Sequence, residues 1–454
     1  MLDIIVLAAG KGTRMRSGTP KVLHTLAGKP FLQHVIDRAN QLDARTINVV
    51  VGHGAAQVKK TINNPAINYV EQTQQLGTGH AVLQALPHID PSATVLILYG
   101  DVPLITGNTL RVLLNNVSEH SLGLLTLIMR DPTGYGRIVR DSSEQVVGIV
   151  EHKDASDMEL AITEVNTGVM AVKGEHLQRW LPALSNDNVQ GEYYLTDIIA
   201  MAKDQSFAIV TSQPASESET FGINNRQQQA QLERIYQSQL AEQLMDEGVT
   251  LIDPARFDCR GSLTTGNDCL IDVNCVFEGD VRIGNNVSIG PNCHIIDAII
   301  GDNCVVKSHT VIEGALIEQD VFVGPFARLR PQTQLKSGAK VGNFVEIKKA
   351  VIGIGSKVSH LSYIGDAELG KDVNIGAGTI TCNYDGVNKF LTKIEDGVFV
   401  GSNTALVAPV CLGEGSTIGA GSVITSTVEA GQLAVSRSKQ ANYDHWTRPV
   451  KKKP

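Results

Sequence analysis

The sequence predicts a two-domain protein in which a doubly wound α/β domain precedes a parallel β-helix, the two being joined by a long helix. Three observations carry this prediction. Short β-branched runs alternate with helical stretches up to about residue 225. Residues 225–247 keep a helical pattern without Gly or Pro, and beyond Asp253-Pro254 aliphatic residues recur every six positions. The predicted divisions are a first domain at 1–226, a linker helix at 227–247 and a second domain at 248–454.

Alternating elements fill the first domain. Strands are predicted at Ile4–Ala8, Ile47–Val51, Ile67–Val70 and Val95–Tyr99, and helices at about 30–42, 55–62, 78–88 and 106–118. This order predicts a mostly parallel sheet, which binds ligands at the carboxyl ends of its strands. Two polar segments follow such ends: the opening loop LAAGKGTRM, Leu7–Met15, and YGDVPL, Tyr99–Leu104.

The opening loop matches neither of two common phosphate loops. A Walker loop needs Ser or Thr after Gly-Lys, and that position is Gly12. A dinucleotide fingerprint needs a third glycine at the position of Met15. Lys11, Arg14 and Lys21 nevertheless place three cations near flexible backbone, which suits a polyanion. An ordinary glycine turn with solvated charges is the alternative interpretation.

Polar residues elsewhere in the first domain support a nucleotide site. Asp101, at a strand end, is suited to Mg²⁺ that bridges nucleotide phosphates, because Mg²⁺ takes few protein oxygens. The clusters EHKD (151–154) and NTG (166–168) offer carboxylate and amide groups for sugar hydroxyls. Each of these features also has a simpler interpretation as a solvated turn.

The six-residue repeat dominates the second domain and predicts stacked β-helix coils. Its aliphatic positions are Ile271, Phe277, Ile283, Ile289, Ile295, Ile300, Val306 and Ile312, then Val323, Leu329, Leu335, Val341 and Ile347, and after an interruption Ile394, Val400, Leu406, Leu412 and Ile418. Cys275, Cys293 and Cys304 fall on small inward positions and are predicted to be core residues. The break between Thr381 and Lys393 predicts an inserted loop on one face.

Composition limits the classes of function. A net charge of -8 argues against nucleic acid as a partner. No apolar run is long enough to span a membrane and no basic leader precedes the first strand, so we expect a cytoplasmic protein without a membrane partner. Seven cysteines without a C-x-x-C pair indicate neither a disulfide framework nor a zinc site.

Ionisable residues interrupt the repeat at HLSY (360–363) and EIKK (346–349). A neutral histidine beside a carboxylate can accept a proton from an amine nucleophile near neutral pH. His360 is therefore a candidate general base, with a surface histidine on a coil corner as the alternative.

Long ordered motifs give the sequence a close resemblance to one bacterial family, the bifunctional N-acetylglucosamine-1-phosphate uridyltransferases/glucosamine-1-phosphate N-acetyltransferases. The resemblance covers nearly the whole chain. The motifs of the first domain are LAAGKGTRM, PKVLHTLAGKP, QLGTGHA, LYGDVPL, DPTGYGRI, GIVEHKDA, GEYYLTDI and GINNR. Those of the second are GPFARLRP, VGNFVEIKKA, HLSYIGDAE, NIGAGTITCNYDG and VGSNTALVAPV.

The resemblance implies a fold and an activity for each domain. The first would be a Rossmann-like nucleotidyltransferase, and the second a left-handed β-helix acetyltransferase with a C-terminal tail, assembled as a homotrimer. Left-handed parallel crossovers are an exception to the usual rule. Acetyl-CoA would acetylate glucosamine-1-phosphate. UMP would then pass from UTP to N-acetylglucosamine-1-phosphate with Mg²⁺ and release of pyrophosphate, supplying peptidoglycan and lipopolysaccharide synthesis.

Site residues follow from the same resemblance. Arg14 and Lys21 would be catalytic in uridylyl transfer, and Asp101 and Asn224 would hold Mg²⁺. The nucleotide and its sugar would contact Leu7, Ala8, Ala9, Gly10, Lys21, Gln72, Gly77, Thr78, Tyr99, Gly100, Asp101, Gly136, Glu151, Asn166 and Asn224.

The acetyl-transfer site is implied in the same way. His360 would be the general base, with Glu346 nearby to orient it. The sugar phosphate would contact Arg330, Lys348, Tyr363 and Asn374, with Lys389 reaching the site of an adjacent subunit. Acetyl-CoA would lie along Ala377, Asn383, Tyr384, Ser402, Ala420 and Arg437.

Two alternatives remain open at the level of sequence. One is a monofunctional sugar-nucleotide pyrophosphorylase whose β-helix is only structural or regulatory, in which His360 and the NYDGVNK loop would have no purpose. The other is a nucleotide-sensing scaffold without turnover, which would release no pyrophosphate.

Overall fold

The computed structural model describes residues 1–451 and divides into two compact units, Met1–Tyr236 and a second that begins at Gln237. The boundary falls inside a single helix, Arg226–Asp246, where the sequence predicts the linker helix. The predicted domain limits at 226 and 247 stay predictions, and the last three residues of the predicted second domain lie outside the described residues.

The first unit is built on one mixed sheet. Its seven main strands run in the order Ala208–Ser212, Ser121–Ile128, Glu164–Lys173, Thr94–Tyr99, Leu2–Ala8, Thr46–Val51 and Ile67–Glu71. From Leu2–Ala8 the chain first builds toward Ile67–Glu71 and then crosses back to Thr94–Tyr99. The order therefore reverses between Leu2–Ala8 and Thr94–Tyr99, which is where ligands bind in such sheets.

The orientation of one strand differs from the predicted, mostly parallel arrangement. Glu164–Lys173 runs antiparallel to both of its neighbours. It also pairs through Val165 with an antiparallel hairpin made of Arg137–Arg140 and Val146–Val150. Residue patterns show that these strands are buried but not in which direction they run. A short additional hairpin joins Thr25–Leu26 to Lys29–Pro30.

Helices cover the sheet where apolar residues recur at helical spacing. In Phe31–Asn40 the buried face carries Leu32, Val35, Ile36 and Ala39. The α-helices of this unit are Phe31–Asn40, Ala55–Thr61, Thr78–Ala85, Gly107–Leu114, Asp157–Leu160, Gly174–Trp180 and Asp197–Asp204, followed by Arg226–Asp246. Short 3-10 turns lie at Thr13–Met15, Lys21–Leu23, Leu86–His88, Leu181–Ala183 and Glu217–Thr220.

The second unit is a parallel β-helix. From Thr250–Leu251 onward, with the short 3-10 turn Pro254–Arg256 after the first strand, strands stack with parallel pairing from coil to coil. One face contains Thr250–Leu251, Leu270–Ile271, Ser288–Ile289, Val305–Val306, Phe322–Val323, Lys340–Asn343, Lys357–His360, Asn374–Ile375, Phe399–Val400, Thr417–Ile418 and Leu433–Ala434. Partner residues such as Ile271, Ile289 and Val306 are 17 or 18 positions apart, so each coil holds three repeats.

The other two faces of the β-helix are formed by the remaining strands. They are Phe257–Thr265, Cys275–Ile283, His294–Ile296, Ile299–Ile300, Val311–Glu313, Leu316–Ile317, Arg328–Leu329, Gln334–Leu335, Glu346–Ile352, Tyr363–Leu369, Ile380–Cys382, Thr392–Ile394, Ala405–Val407, Val410–Leu412 and Val423–Ile424. All the predicted repeat aliphatics are buried in one continuous core, which confirms the predicted repeat.

The interruption predicted after Ile347 is wrong. Coils continue through the buried residues Ile352, Val358, Ile364, Leu369 and Ile375. Two of the steps contain five residues instead of six, which hides the repeat in the sequence. Only the segment 383–391, which is exposed except for Asn383 and Phe390, leaves the coils, so the partner of Ile375 on the next coil is Val400, 25 positions away. The predicted insertion is therefore a loop, as expected, within an otherwise continuous β-helix.

Cys275, Cys293 and Cys304 are buried in the β-helix core, as predicted. All seven cysteines are free thiols, and five of them are buried. The Sγ atoms of Cys275 and Cys293 donate to the carbonyl oxygens of Gly290 and Lys307 at 3.2 Å. Burial raises the pKa of Cys304 to about 11, so its thiol stays protonated and unreactive at neutral pH.

The linker helix Arg226–Asp246 contributes to both cores. Leu232 is buried in a cluster of the first unit that includes Met15 and Phe31. Ala241 and Leu244 belong to the β-helix core. None of the helices described in residues 1–451 has the length and apolar character needed to cross a membrane.

Candidate active sites

A cavity of about 590 Å³ opens at the strand ends of the first unit, where the strand order reverses. It brings together residues that the sequence analysis drew from six separate segments. These lining residues are Leu7, Ala8, Ala9, Gly10, Arg14, Lys21, Gln72, Gly77, Thr78, Tyr99, Asp101 and Asn224. The backbone N–H of Gly100 donates to the carbonyl of Leu7 at 2.9 Å, which ties the two strand ends together.

Close packing holds the opening loop in place. Gly12 has a φ of +61°, and a Cβ there would lie 2.6 Å from the Cβ of Lys21, so glycine is required by both conformation and space. Met15 occupies the position where a dinucleotide fingerprint has its third glycine. Its side chain is buried against Leu26, Phe31 and Leu104. The loop is therefore anchored by a hydrophobic side chain instead of by glycine contact.

Opposite charges converge on one point of the cavity. The Lys21 ammonium forms an ion pair with Asp101 and donates to Asn224 Oδ1 at 3.1 Å. Arg14 Nη2 donates to the same Asn224 oxygen at 2.9 Å. A carboxylate oxygen and an amide oxygen thus face a single cationic group. Because Mg²⁺ prefers oxygen ligands, the same pair fits a divalent cation that completes its coordination with phosphate oxygens and water.

A second group of predicted residues lies around the hairpin Arg137–Arg140/Val146–Val150. The Asn166 N–H donates to the carbonyl of Gly136 at 2.9 Å, and Thr196 Oγ1 donates to Glu151 Oε1 at 3.1 Å. A Cβ on Gly136 would lie 3.5 Å from both Glu151 oxygens. Gly136, Glu151 and Asn166 are therefore brought together, although they do not line the 590 Å³ cavity.

Burial raises the pKa values of two side chains in this region, Glu151 and Tyr99. It raises the pKa of Glu151, with the charge of Asp154 as a further cause, so the carboxyl stays protonated to a higher pH than usual. Burial also raises the pKa of Tyr99, helped by the charges of Glu151 and Asp101. Tyr99 is thus a neutral hydroxyl donor between the two groups of residues.

Several lining residues were not among the predicted contacts: Lys11, Gly12, Thr13, Val22, Gln75, Ala81, Gln190 and Glu192. Lys11 and Gly12 lie within the opening loop. Gln190 and Glu192 come from a distant segment that shows no periodic or charge signal. The Tyr193 N–H donates to the Leu76 carbonyl at 2.8 Å, and this contact holds their segment against the cavity.

In the second unit, His360 is exposed and its ring is held by Asn343. His360 Nδ1 lies 2.7 Å from Asn343 Oδ1. Glu346, which is predicted to orient the histidine, accepts from Arg330 Nη1 at 2.9 Å, and its role beside His360 stays a prediction. Arg330 neutralises the carboxylate, and an uncharged amide occupies the place beside the imidazole.

Asp366 connects two of the predicted binding residues and was missed by the sequence analysis. Lys348 Nζ donates to Asp366 Oδ2 at 2.9 Å, and Asn383 Nδ2 donates to the same oxygen. Burial alone would raise the pKa of Asp366, but the hydrogen bonds from Lys348 and Asn383 outweigh it and lower the pKa. A hydrogen bond with Lys348, and then the charge of that lysine, lowers the pKa of Lys389, so the insertion-loop lysine lies near Lys348 within the same chain.

Register places other predicted residues in one ladder along the β-helix. Asn343 pairs with His360 on the next coil. Further along, Val358, Ile375, Val400 and Ile418 stack as partners on successive coils. The residue two positions after each of them forms the ladder, namely His360, Ala377, Ser402 and Ala420. Backbone N–H groups of the following residues donate from each coil to the ladder carbonyls of Asn343, His360, Ala377 and Ser402. Arg437 Nη1 donates to the Ala420 carbonyl at 2.6 Å, at the far end.

The remaining predicted residues lie nearby on the coils. Tyr363 pairs with Glu346 on the preceding coil, and its ring covers Gly365, where a Cβ would lie 2.3 Å from the hydroxyl oxygen. Asn374 pairs with Lys357 on the face that carries His360. Tyr384 is exposed on the insertion loop, and its hydroxyl donates to the Gly386 carbonyl of the same loop.

Comparison with known proteins agrees with this division. The family described as MobA-like NTP transferase domain matches residues 4–145, and bacterial transferase hexapeptide (six repeats) matches residues 263–297 and 391–426. The fold and sites therefore define a nucleotidyltransferase joined to a hexapeptide-repeat transferase with a left-handed β-helix.

Full-length relatives narrow this class. The chain is 63% identical over 452 residues to bifunctional protein GlmU of Saccharophagus degradans, with 100% of each chain covered. It is 62% identical to bifunctional protein GlmU of Cellvibrio japonicus, again with 100% of each covered, and 58% identical to that of Marinobacter nauticus, with 99% of each covered. The chain belongs to the GlmU family of bifunctional proteins. It is an enzyme with uridyltransferase and acetyltransferase activities. This excludes the two alternatives left open by the sequence, a monofunctional pyrophosphorylase with a structural or regulatory β-helix and a nucleotide-sensing scaffold without turnover.

Proposed function

We propose that the chain makes UDP-N-acetylglucosamine from glucosamine-1-phosphate in two steps, acetylation followed by uridylyl transfer. The observation that carries the proposal is that each unit holds a separate constellation suited to one step. Arg14, Lys21, Asp101 and Asn224 converge in the first, and His360 and Lys348 lie with their partners in the second. The product would supply peptidoglycan and lipopolysaccharide synthesis from the cytoplasm.

Uridylyl transfer would use the cavity of the first unit. A phosphate oxygen of N-acetylglucosamine-1-phosphate attacks the α-phosphorus of UTP, and the bond from that phosphorus to the β-phosphate oxygen breaks to release pyrophosphate. The Leu7–Gly10 backbone and Gln72, Gly77 and Thr78 would hold the uridine nucleotide. Arg14 and Lys21 would neutralise charge on the phosphates as the bond breaks, so the step depends on positioning and electrostatics.

Asp101 and Asn224 would hold Mg²⁺ in this cavity. Their two oxygens already face one cationic group, the Lys21 ammonium, which supports the fit. The ion, when bound, supplies positive charge to the nucleotide phosphates. Lys21 would then turn toward the phosphates, while Tyr99, Gly100, Gly136, Glu151 and Asn166 contact the sugar.

Acetyl transfer would use the ladder of the second unit. The amine of glucosamine-1-phosphate attacks the thioester carbonyl of acetyl-CoA, a C–N bond forms and the C–S bond breaks. His360 Nε2 takes the proton from the attacking amine, and the leaving sulfur takes up a proton to become the CoA thiol. Arg330 and Lys348 would hold the sugar phosphate through charge-assisted hydrogen bonds, with Tyr363 and Asn374 contacting the sugar.

The ladder also supports the position proposed for acetyl-CoA. Successive coils are about 4.8 Å apart, so the three steps from His360 to Ala420 cover about 14 Å. A long, thin acyl donor could therefore lie along Ala377, Ser402 and Ala420, with its thioester at His360. Asn383 and Tyr384 of the insertion loop would cover it, and Arg437 would meet its charged end.

Half-reaction assays on the full chain test the proposal. We expect pyrophosphate release from UTP and N-acetylglucosamine-1-phosphate, and CoA release from acetyl-CoA and glucosamine-1-phosphate. Because only uridylyl transfer would use Mg²⁺, a chelator should stop pyrophosphate release and leave CoA release near its normal rate. Lack of pyrophosphate release with Mg²⁺ present would contradict the assignment of the first unit, and lack of CoA release that of the second.

We also propose that the chain functions as a homotrimer, with Lys389 reaching an adjacent subunit's site. An exposed apolar corner beside the histidine supports self-association. Phe326 and Phe344 stack with ring centroids 5.3 Å apart and are 47% and 55% exposed, and Leu361 is 62% exposed. Light scattering should give three times the chain mass of 48.7 kDa. A monomer at assay concentration would contradict both the trimer and the shared role of Lys389.

A further inference from the structure

Asn343 is fixed beside the proposed catalytic histidine by the register of the β-helix. The two residues are partners on neighbouring coils, and the Leu361 N–H donates to the Asn343 carbonyl at 3.1 Å. On the other side, the Gly378 N–H donates to the His360 carbonyl at 3.3 Å. Both backbones are thus held by the coil ladder, and the 2.7 Å contact between Asn343 Oδ1 and His360 Nδ1 follows from their placement.

This contact determines which nitrogen can act as a base. Nδ1 is occupied by the amide, so Nε2 is the nitrogen left to face an amine. A neutral imidazole accepts a proton at one nitrogen only when the other carries the hydrogen. An amide oxygen at Nδ1 stabilises that tautomer, because it can accept a hydrogen bond and cannot donate one.

The charge of the partner matters as much as its position. A carboxylate beside an imidazole raises its pKa and keeps it protonated at neutral pH, whereas an amide adds no charge. Nearby charged groups are engaged elsewhere: Glu346 with Arg330 at 2.9 Å, and Lys348 with Asp366 at 2.9 Å. Lys357 lies on the same strand as His360, and Asn374–Ile375 of the next coil carries no charge.

We infer that Asn343 is a positioning residue for acetyl transfer, which holds the His360 ring with the hydrogen on Nδ1 and turns Nε2 toward the attacking amine. The inference rests on the proposed role of His360 as general base. In that step the amine proton moves to Nε2 as the C–N bond forms. Asn343 keeps its hydrogen bond to Nδ1 throughout and exchanges no proton.

Two substitutions separate orientation from charge. In Asn343→Asp the ring keeps an acceptor and gains a negative neighbour. We expect the acidic limb of the pH profile of kcat/KM for acetyl transfer to move upward by about one pH unit, with kcat retained above it. In Asn343→Ala the acceptor is lost, so we expect kcat to fall about tenfold, a part of the roughly 10²–10⁴ from general base catalysis, with KM for acetyl-CoA within about twofold.

The matched control is Asn286→Asp, an exposed asparagine of the same β-helix whose Nδ2 donates to Asn303 Oδ1 at 3.3 Å. It should leave the acetyl-transfer pH profile unchanged. Uridylyl transfer by the same samples should also stay near normal in all three variants, since it belongs to the other unit.

His360→Ala distinguishes failure of the inference from failure of the proposed function. If that variant acetylates normally, His360 is not the base and the proposed function of this site is wrong. If it is inactive while Asn343→Asp leaves the acidic limb in place and Asn343→Ala leaves kcat unchanged, the role of Asn343 is overturned. Loss of activity at every pH in Asn343→Asp, with activity kept in Asn343→Ala, would also overturn it, because acetyl transfer would then not depend on a hydrogen bond at Nδ1.

Discussion

Asp101→Ala should lower uridylyl transfer by a factor of about 10²–10³ while acetyl transfer continues near its normal rate. Asp101 forms the ion pair with Lys21 and, in the proposed function, supplies one of two protein oxygens to Mg²⁺. Without it, Lys21 keeps only its contact with Asn224 Oδ1. The substitution therefore removes both the anchor of the Lys21 ammonium and one ligand of the proposed Mg²⁺. Both cations would neutralise negative charge on the same nucleotide phosphates, so their losses affect the same step.

Pyrophosphate release and CoA release should be measured on the same preparation of this variant. Asp204→Ala, at the exposed end of the helix Asp197–Asp204, is the matched control and should leave both rates unchanged. A folded Asp101→Ala protein that loses both activities to the same extent would contradict two independent sites. Normal pyrophosphate release would remove Asp101 from the mechanism.

His360→Ala should have the opposite effect, lowering acetyl transfer by roughly 10²–10⁴-fold and leaving uridylyl transfer near normal. The substitution removes Nε2, the one nitrogen of the ring that is not held by Asn343. The side chain is exposed and outside the buried core, so the β-helix should fold without it. Loss of activity would then report lost proton transfer and not lost structure.

The measurement is CoA release at saturating acetyl-CoA and glucosamine-1-phosphate. His294→Ala provides a control on an earlier coil of the same β-helix and should acetylate normally. Acetyl transfer at the wild-type rate in His360→Ala would show that another group removes the amine proton. Together with Asp101→Ala, this variant tests whether each activity belongs to its own unit.

The fold was predictable where one residue type repeats at a fixed spacing. Each predicted aliphatic from Ile271 to Ile418 is buried, because a stacked coil needs an apolar residue at that position. The repeat was lost between Ile347 and Ile394, where five-residue steps and the polar inward residue Thr381 break the pattern without breaking the coil. The reversed strand Glu164–Lys173 could not be predicted, since burial patterns carry no direction.

The candidate sites were predictable in different degrees. Lys21 and Asn224 are 203 positions apart, and only the resemblance linked them before the structure showed their contact. Asn343 and Asp366 were missed because each looks in the sequence like the many Asn and Asp residues at coil corners. Their importance depends on which residue lies one coil away, so it is a property of register that the spacing of aliphatics does not reveal.

The linker helix limits where the chain can be divided. Cleavage between residues 226 and 227 would take Leu232 away from the cluster that also holds Met15 of the opening loop, at a cost of about 2 kcal/mol in the stability of the first unit. Cleavage after Asp246 would instead leave the β-helix without Ala241 and Leu244, which close the first end of its core. Separately produced halves therefore need overlapping ends, each retaining its own copy of the residues of this helix that it buries.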